Sequence, residues 1–347
     1  GCDWDRGCGC GCACDRACDR GWCRVSADAR DTVRDTAHVP ARDSGYMGFV
    51  GVSTAASSIM SVFPRWAAAL DLPTHTLVGH DLPVDASPAQ YVALVELIRD
   101  DPQHLGALVT THKMSLFDAA HDMFDELDEF ATLCGEVSSI SKREGRLIGH
   151  AKDPITAGLA LDEFLPATHF ADTGADAVIL GAGGAGTALS WYLAERADQP
   201  ASITVTDTSN ERLSHLYDVH RRHGTPDSLI RYLNVSEPGA TNAVLADAAP
   251  QSLIVNATGL GKDRPGSPLG DDAVFPARAY VWEFNYRGTL EFFAQARAQE
   301  QDRELRVVDG WRYFIHGWTQ VIGEVFGVEM TPERVEELAA IAEFARK

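Results

Sequence analysis

VILGAGGAG, residues 178–186, is a short β-branched run followed at once by a glycine-rich loop. Gly181, Gly183 and Gly186 have the spacing GxGxxG, and an Ala- and Leu-rich helical stretch follows them directly. Between a strand and a helix, the first glycine permits a tight turn, the second lets the backbone approach a pyrophosphate, and the third lets helix and strand pack closely. The helix N-terminus adds partial positive charge for the phosphates. The stretch therefore predicts a Rossmann domain that binds a nicotinamide dinucleotide.

The residues after this loop indicate which dinucleotide binds. A second strand, ITVT, ends at Asp207, about 20 residues past the last glycine, where an acid can accept hydrogen bonds from the adenosine ribose. Such an acid repels the 2′-phosphate of NADP, so the sequence favours NAD over NADP. Two alternatives stay open: Asp207 can instead cap the helix that starts near Asn210, and Arg212 can meet a 2′-phosphate. With the later NATGLG loop included, the predicted cofactor-binding residues are Gly181, Ala182, Gly183, Gly184, Ala185, Gly186, Asp207, Asn256, Thr258 and Gly259.

Outward from this loop, short β-branched runs alternate with helical stretches, the pattern of an α/β protein. Residues 47–153 predict an open α/β domain for the substrate, in which 113–133 forms one long helix or two short ones. Residues 154–310 predict the Rossmann domain, and 311–347 predict carboxyl-terminal helices. Helices between its strands give the Rossmann domain a doubly wound parallel sheet. Its strands are predicted at 178–180, 203–206, 230–235, 252–256, 280–283 and 306–308.

Residues 1–46 differ in composition from the rest of the chain. Alternating Cys with Gly and Ala can wrap a soft metal such as zinc or copper(I). The near absence of apolar periodicity favours instead a disordered leader or a non-native extension, with the functional chain starting near Met47. In the rest of the chain no spacing of His, Cys or carboxylates is typical of a metal site, so we expect no metal. The segment holds seven of the eight cysteines, namely Cys2, Cys8, Cys10, Cys12, Cys14, Cys18 and Cys23.

The charge balance limits the kinds of partner. The 50 acidic and 30 basic residues leave a formal net charge of −20 on 347 residues, which argues against binding nucleic acid or an anionic membrane surface. No apolar run approaches the roughly 18 residues of a membrane span, and no apolar stretch near the amino terminus resembles a secretory signal. The sequence therefore predicts a soluble cytoplasmic protein that binds a small-molecule substrate as a monomer or homodimer.

Two side chains can move a proton at the expected cleft. Oxidation of an alcohol by a nicotinamide needs a group that removes the hydroxyl proton and returns it in the reverse reaction. Lys113, in VTTHK, lies just past the carboxyl end of a strand, and Asp153, in GHAKDP, lies at the junction with the Rossmann half. A nearby carboxylate favours the ammonium form of a lysine, whereas burial disfavours it. Lys113 and Asp153 are therefore the predicted catalytic residues, although a lysine at a helix start can also be solvated surface.

Several motifs in a fixed order resemble the shikimate and quinate dehydrogenase family, over nearly all of the chain after Met47. The resemblance implies an amino-terminal catalytic domain, a Rossmann domain and a carboxyl-terminal helix that returns to the first domain. It also implies reversible reduction of a cyclohexene ketone with NADPH or NADH, with Lys113 and Asp153 as the proton-transfer pair. The motifs are VTTHK (NVTxPxK in the family), GEVSS (GAVNT), GRLIGHAKD (GxLxGxNTD), GAGGAG, NATGLG (NATPxG), EFNY, and DGWRYFIHG (DGxxMLxxQ).

The substrate pocket departs from the family pattern. The family's SxS pair falls near Ser57 and Ile59, although Ser58 and Ser61 lie close enough to allow another alignment. Two polar positions of NVT become Ala107 and Val109. Each lost polar group would leave a buried substrate oxygen unpaired, at a cost of about 1–3 kcal/mol. We therefore expect a quinate-like acid or a cyclitol as substrate; the alternatives are a genuine shikimate 5-dehydrogenase and a non-catalytic dinucleotide-binding regulator. The predicted substrate-binding residues are Ser57, Ser138 in place of an Asn, Tyr286, and His316 in place of a Gln.

Overall fold

The computed structural model describes residues 45–237, 239–262 and 264–346. Its first sheet contains β1 Tyr46–Gly51, β2 Leu77–Asp81, β3 His104–Val109, β4 Glu126–Leu127, β5 Ser139–Arg143 and β6 Arg146–His150, in the order β2-β1-β3-β5-β6-β4. β1 pairs in parallel with β2 and β3, whereas β5 pairs antiparallel with β3 and β6. Glu144 and Gly145, with φ of 52° and 77°, form the two-residue turn of the hairpin that joins β5 to β6.

The helices of this first part are α1 Ile59–Ala69, α2 Pro88–Asp100, α3 Lys113–Ala120 and α4 Glu129–Cys134. Residues 113–133 thus contain two short helices, the second of the two predicted forms. A 3₁₀ turn and the two-residue strand β4 separate them, and the sequence did not predict that strand. α4 begins where it does because the Asp128 carboxylate accepts a hydrogen bond from the Ala131 amide at 2.7 Å.

The second sheet is entirely parallel and has the order β12-β11-β10-β7-β8-β9. Its strands are β7 Ala177–Leu180, β8 Ile203–Asp207, β9 Ile230–Asn234, β10 Leu253–Asn256, β11 Tyr280–Glu283 and β12 Arg306–Val308. Strand order reverses beside β7, which is the doubly wound order of a Rossmann domain. The predicted fold class, an open α/β domain joined to a Rossmann-type parallel sheet, is confirmed. Its helices are α6 His169–Thr173, α7 Gly184–Glu195, α8 Asn210–His223, α9 Ala240–Asp247 and α10 Glu291–Arg303.

Three further helices connect the two sheets or follow them in the chain. α5 Asp153–Asp162 leads from β6 towards β7, and α11 Trp311–Phe326 and α12 Pro332–Ala342 follow β12. α11 packs against α5, α12, β3 and β5. Trp66 of α1 donates from Nε1 to the Leu338 carbonyl of α12 at 2.7 Å. The last two helices therefore complete the core of the first sheet, to which they contribute Trp311, Phe314, Ile315, Trp318, Val321, Ile322, Val325, Val335, Leu338, Ala339 and Ala342.

The predictions for residues 1–44, both the leader and the cysteine-based metal site, lie outside the described residues. In the described ranges, no helix is both long enough and apolar enough to cross a membrane. Over the same ranges, no group of three or more His, Cys, Asp or Glu side chains is arranged to hold a metal ion.

Candidate active site

A cleft with an empty volume of about 860 Å³, part of it open solvent, lies at the carboxyl ends of β1 and β3. The start of α5, the loop after β11 and one face of α11 complete its walls. The cleft is therefore built from both halves of the chain. Five of the predicted site residues line it: Ser57, Lys113, Ser138, Asp153 and Tyr286.

Lys113 and Asp153 form a buried ion pair in this cleft. They are the first residues of α3 and α5, and Lys113 Nζ donates a hydrogen bond to Asp153 Oδ2. Their side chains are only 17% and 8% exposed. Burial alone would lower the pKa of Lys113, but the nearby carboxylates of Asp153 and Glu136 outweigh it and raise that pKa. Lys113 is therefore an ammonium group at neutral pH, ready to donate a proton.

The turn that presents Lys113 is held by a buried histidine. Thr111 has a φ of 52°, and His112 follows it as the residue that precedes α3. The His112 ring contacts the Tyr91 hydroxyl at 2.8 Å and the Leu82 carbonyl oxygen at 3.1 Å. Because burial lowers the pKa of His112, the ring is neutral and donates to that carbonyl from Nε2. His112 thus fixes the turn and does not line the cleft.

Hydroxyl and cationic groups line the rest of the cleft. The Ser57 and Tyr286 hydroxyls lie 3.0 Å apart, and Ser138 Oγ accepts a hydrogen bond from the Lys152 amide at 2.7 Å. Lys262 and Arg287, which the sequence interpretation did not single out, are further lining residues. Burial raises the pKa of Tyr286, and its hydrogen bonds with Ser57 and Arg287 oppose that effect. These groups suit a polar substrate that carries an anionic group.

His316 lies away from the other predicted substrate-binding residues. It is buried on α11, is not among the residues that line the cleft, and places Nε2 2.6 Å from Glu163 Oε1. Its Nδ1 has no hydrogen-bond partner in the described ranges. The structure therefore brings Ser57, Ser138 and Tyr286 together, but not His316.

The glycine-rich loop after β7 has the shape that a dinucleotide needs. Gly181 has a φ of 109°, and a Cβ there would lie 2.8 Å from the Ala257 carbonyl group. At Gly186 a Cβ would collide with the Gly181 carbonyl oxygen. At Gly183 a Cβ would meet nothing within 4 Å, which leaves open space beside the loop. These residues fit a bound dinucleotide, whose pyrophosphate belongs at the N-terminus of α7.

Asp207, the last residue of β8, holds this loop in place. Its carboxylate accepts hydrogen bonds from the Ala182 amide at 2.8 Å and the Ser209 amide at 2.9 Å. Ser209 caps α8 by accepting from the Arg212 amide, so Asp207 is not the helix cap. Arg212 Nη1 is 3.9 Å from Asp207 Oδ2, at the position expected for the adenosine ribose.

The NATGLG loop follows β10 at the same edge of the second sheet. Asn256 is fully buried; its Nδ2 donates to Glu283 Oε2 at 2.8 Å, and its Oδ1 accepts from the Thr258 amide and hydroxyl at 3.1 and 2.7 Å. Asn256 and Thr258 therefore shape the loop. Gly259 has a φ of 73° and open space beside it, so this end of the loop can approach a bound group.

Sequence reasoning also missed Glu136, a charged residue near the Lys113–Asp153 ion pair. Glu136 is fully buried, and neither of its carboxyl oxygens has a hydrogen-bond partner in the described ranges. Burial and the neighbouring Asp153 raise its pKa to about 8, against the opposing effect of Lys113. The only signal in the sequence is that GEVSS carries a glutamate where the motif it resembles, GAVNT, has an alanine.

The cleft can add or remove a proton at a substrate oxygen beside a dinucleotide-binding loop. An ammonium group held by a carboxylate can donate a proton to an oxygen and take one back in the reverse direction. Hydroxyl groups on the cleft wall can orient a polyhydroxylated ring. Fold and site together define a two-domain oxidoreductase that uses a nicotinamide dinucleotide.

Comparisons with known proteins identify the family. A shikimate dehydrogenase (NADP(+)) from Symbiobacterium thermophilum is 30% identical over 285 residues, which cover 82% of this chain and 88% of that protein. One from Streptococcus gordonii is 29% identical over 218 residues, covering 61% and 70%. No family model matches the chain. The chain belongs to the shikimate dehydrogenase family, and it is accordingly an NAD(P)-dependent oxidoreductase that acts on a CH–OH group.

Solved structures show the same fold. Shikimate 5-dehydrogenase from Thermus thermophilus, in complex with NADP(H) and shikimate, has a TM-score of 0.61 at 22% identity and covers 86% of this chain and 99% of its own. Quinate dehydrogenase from Corynebacterium glutamicum, in complex with NAD, has a TM-score of 0.63 at 20% identity, with 86% and 98% covered. Both have the two-domain architecture described above.

Proposed function

We propose that the chain transfers a hydride reversibly between a nicotinamide dinucleotide and a cyclic polyhydroxylated alcohol or ketone, of the quinate-like or cyclitol type. The observation that carries the proposal is the buried Lys113–Asp153 ion pair in a cleft built from both halves of the chain. The nicotinamide, when bound, accepts or supplies the hydride. In the reducing direction the Lys113 ammonium donates a proton from Nζ to the carbonyl oxygen and becomes a neutral amine; in the oxidising direction the neutral amine removes the hydroxyl proton and becomes the ammonium again. Asp153 holds Nζ in place.

The composition of the cleft wall supports a substrate other than shikimate. Ser57 lines the cleft. Ile59, the first residue of α1, is buried in the apolar core that the first sheet shares with the last two helices, so the cleft offers only one of the two expected hydroxyl groups. Val109 lines the cleft where the resembled motif is polar. A substrate ring whose oxygens fit the family's usual pocket would lack some of its hydrogen-bond partners in this cleft. Each missing hydrogen bond weakens binding of that substrate.

Shikimate itself is the second candidate substrate. The names of the two relatives favour it, since both are shikimate dehydrogenases. Initial rates with shikimate, quinate and a set of cyclitols, each with NADP⁺ and with NAD⁺, distinguish the two. We expect kcat/KM for quinate or a cyclitol to exceed that for shikimate. The opposite ranking would establish the second candidate.

Replacing the catalytic lysine tests the reaction itself. Lys113→Met removes the proton donor without adding volume, so we expect kcat to fall by roughly 100-fold or more, while the dinucleotide still binds. Steady-state kinetics and fluorescence titration with NADPH measure the two effects separately.

Lys142→Gln provides a control for loss of a partly buried lysine. Lys142 lies on β5 and donates to the Asp101 carbonyl at 2.8 Å, away from the residues that line the cleft. We expect its turnover to stay at the wild-type level. If Lys113→Met also kept wild-type turnover, the assignment of Lys113 would be wrong.

For the cofactor we propose NADP, with Arg212 at its 2′-phosphate. The preference for NAD inferred from the sequence is not supported by the relatives, which are named for NADP(+). Asp207 already accepts two backbone hydrogen bonds, so its carboxylate serves the fold at this position. The Arg212 side chain is 54% exposed at the same end of β8 and can reach an added phosphate.

A charge-neutral variant of Arg212 tests this choice. Since a hydrogen bond between charged groups contributes about 1.5–3 kcal/mol, Arg212→Gln should weaken NADPH binding by roughly 10- to 100-fold and leave NADH binding nearly unchanged. Arg221→Gln, an exposed arginine on the same helix, is the control and should change neither. If Arg212→Gln lost the same affinity for NADPH and NADH, or if the wild type bound NADH more tightly than NADPH, the proposal of NADP would be wrong and NAD would be favoured.

We also propose the domain bounds inferred from the sequence: 47–153 for the substrate domain, 154–310 for the Rossmann domain and 311–347 for the returning helices. Limited proteolysis followed by mass spectrometry should place the early cuts at these junctions. A cytoplasmic location and a monomeric or homodimeric state stay predictions, the second of which light scattering can measure.

A further inference from the structure

Glu136 is the most unusual charged group in the described part of the chain. It follows Gly135, the left-handed residue that ends α4, and its side chain is fully buried. Both carboxyl oxygens lack a hydrogen-bond partner among the described residues. Buried carboxylates are normally paired or hydrogen-bonded because an isolated charge is costly in an apolar interior. Asp153, not Glu136, accepts the hydrogen bond from Lys113 Nζ, so Glu136 acts on that lysine only through its charge.

The carboxyl group of Glu136 lies against the start of α7. A Cβ built on Gly184, the first residue of that helix, would collide with Glu136 Oε2 and would lie 3.9 Å from Lys113 Cδ. Glu136 therefore extends from the first half of the chain to the glycine-rich loop of the second. The first turn of a helix has unpaired amide groups and attracts anions. An ionised carboxylate this close to the first residue of α7 would repel a pyrophosphate bound at the same end of the helix.

We propose that Glu136 competes with the dinucleotide for the N-terminal end of α7, so that the cofactor binds only when this carboxyl group is protonated or displaced. The inference rests on the proposed function in one respect, namely that the glycine-rich loop binds a dinucleotide. Glu136 thereby makes cofactor affinity depend on its own charge. The motif GAVNT has an alanine at this position, so the competition is a property of this chain's sequence.

The groups around Glu136 determine when it ionises. Burial is the largest effect and raises its pKa to about 8, with Asp153 and Asp128 adding to it and Lys113 opposing it. Below that pH the carboxyl group is neutral and tolerates a phosphate, whereas above it the ionised group repels one. Dinucleotide affinity should therefore fall as pH rises past about 8, and binding above that pH should take up a proton. The titratable groups that face Glu136 or its neighbours in sequence are Lys113 of α3, Asp128 and Cys134 at α4, Asp153 of α5, His215 and Arg222 of α8, and Tyr313 of α11.

The test is a dinucleotide titration of four proteins across pH. The wild type, Glu136→Gln, Glu136→Ala and the control Glu129→Gln are titrated with NADPH and NADH by fluorescence, between about pH 6 and about pH 9.5. Glu129 is an exposed residue of α4, so its variant removes the same formal charge from a nearby position. The ratio of wild-type to variant Kd at one pH cancels the titration of the nucleotide itself.

We expect the wild type and Glu129→Gln to bind NADPH progressively more weakly above pH 8, by up to about tenfold per pH unit. Glu136→Gln should keep its low-pH affinity throughout. Glu136→Ala should bind most tightly, because it removes both the charge and the bulk. Calorimetry of the wild type at about pH 9, in two buffers of different ionisation enthalpy, should show uptake of close to one proton, which Glu136→Gln should lack.

Equal affinity and equal pH dependence in the wild type and both Glu136 variants would overturn this inference and leave the proposed function standing. If the Glu136 variants bound a nucleotide and the wild type and Glu129→Gln did not, the result would support complete competition by Glu136. If none of the four proteins bound either nucleotide, both the proposed function and this inference would be wrong. Melting temperatures of the four proteins, measured at each pH, show that a change in Kd does not come from unfolding.

Discussion

At the scale of single residues, a small network of charges fixes the end of α5 against α11. The Glu163 carboxylate accepts hydrogen bonds from His316 Nε2 and Arg312 Nε, each at 2.6 Å. Burial alone would raise the pKa of Glu163, but these two donors lower it to about 2. His316 is thus held by Glu163 and is not among the residues that line the cleft.

Glu163→Gln should destabilise the protein in a pH-dependent way. A carboxyl group whose pKa is lowered by folding adds stability above its unfolded pKa, and that stability is lost as pH falls towards the folded value. We expect the free energy of unfolding to drop by about 1–3 kcal/mol at neutral pH, with a smaller difference below about pH 4. Urea denaturation of the variant and the wild type across this pH range measures the effect.

Glu336→Gln is the matched comparison for Glu163→Gln. Glu336 pairs with the same arginine, Arg312, but is 67% exposed, so its removal should cost no more than about 0.5–1 kcal/mol. A loss as large as that of Glu163→Gln would show that burial of the network does not matter.

The residues whose place in the cleft could be predicted from the sequence are those that follow the end of a strand. Lys113 and Asp153 lie where β3 and β6 give way to helices, and carboxyl ends of strands face a cleft in α/β proteins. Glu136 has no such signal, because a single glutamate in GEVSS has no partner at a recognisable spacing. His316 matched a motif position, but its partner Glu163 lies 153 residues earlier in the chain, where no local pattern can reveal it.

At the scale of elements, the loop between β7 and α7 contains glycines with two different roles, one in packing and one in leaving space. Gly186 is needed for packing, since a Cβ would collide with the Gly181 carbonyl oxygen. Gly183 has a φ of −78°, which any residue adopts, and open space beside it. Its lack of a side chain therefore serves whatever occupies that space and not the fold.

The two glycines should respond differently to alanine. Gly186→Ala should lower stability by about 1–3 kcal/mol, because the start of α7 has to move, and should abolish dinucleotide binding. Gly183→Ala should leave stability within about 0.5 kcal/mol of the wild type and weaken NADPH binding, because the methyl group fills the open space. Thermal melts and NADPH titration of both variants measure this. Wild-type affinity in Gly183→Ala would mean that the dinucleotide does not use that space.

Strands with a clear apolar pattern were predictable from the sequence, whereas the short strand β4 was not. All six strands of the second sheet begin and end within one residue of the predicted ranges. The two-residue strand β4 was not predicted, because it is too short to show alternation. It exists through pairing with β6 and through Asp125, whose carboxylate accepts from the Leu147 amide at 2.7 Å. Both contacts are tertiary, so the sequence pattern of 113–133 alone could not show them.

At the scale of the whole molecule, the apolar cores draw their residues from different parts of the chain. The two cores of the second sheet draw their buried residues only from between Ala157 and Leu305. The core beside α1 combines residues between Met47 and Leu108 with residues between Trp311 and Ala342. Amphipathic spacing predicted a helix after residue 310, but spacing cannot say which sheet the helix covers; only the family resemblance implied the return.

The shared core has a consequence for synthesis on the ribosome. All the buried apolar residues in the two cores of the second sheet have been made by about residue 310, and Tyr313 is the later residue that packs against them. The second sheet can therefore fold while synthesis continues. The first sheet emerges earliest, yet it lacks Trp318, Ile322 and Leu338 until the last helices are released. Domains generally fold as units during synthesis, and transiently exposed apolar surface promotes aggregation. The half of the molecule that is translated first is thus the last to be finished, and a chain that stops short of α11 leaves that half exposed.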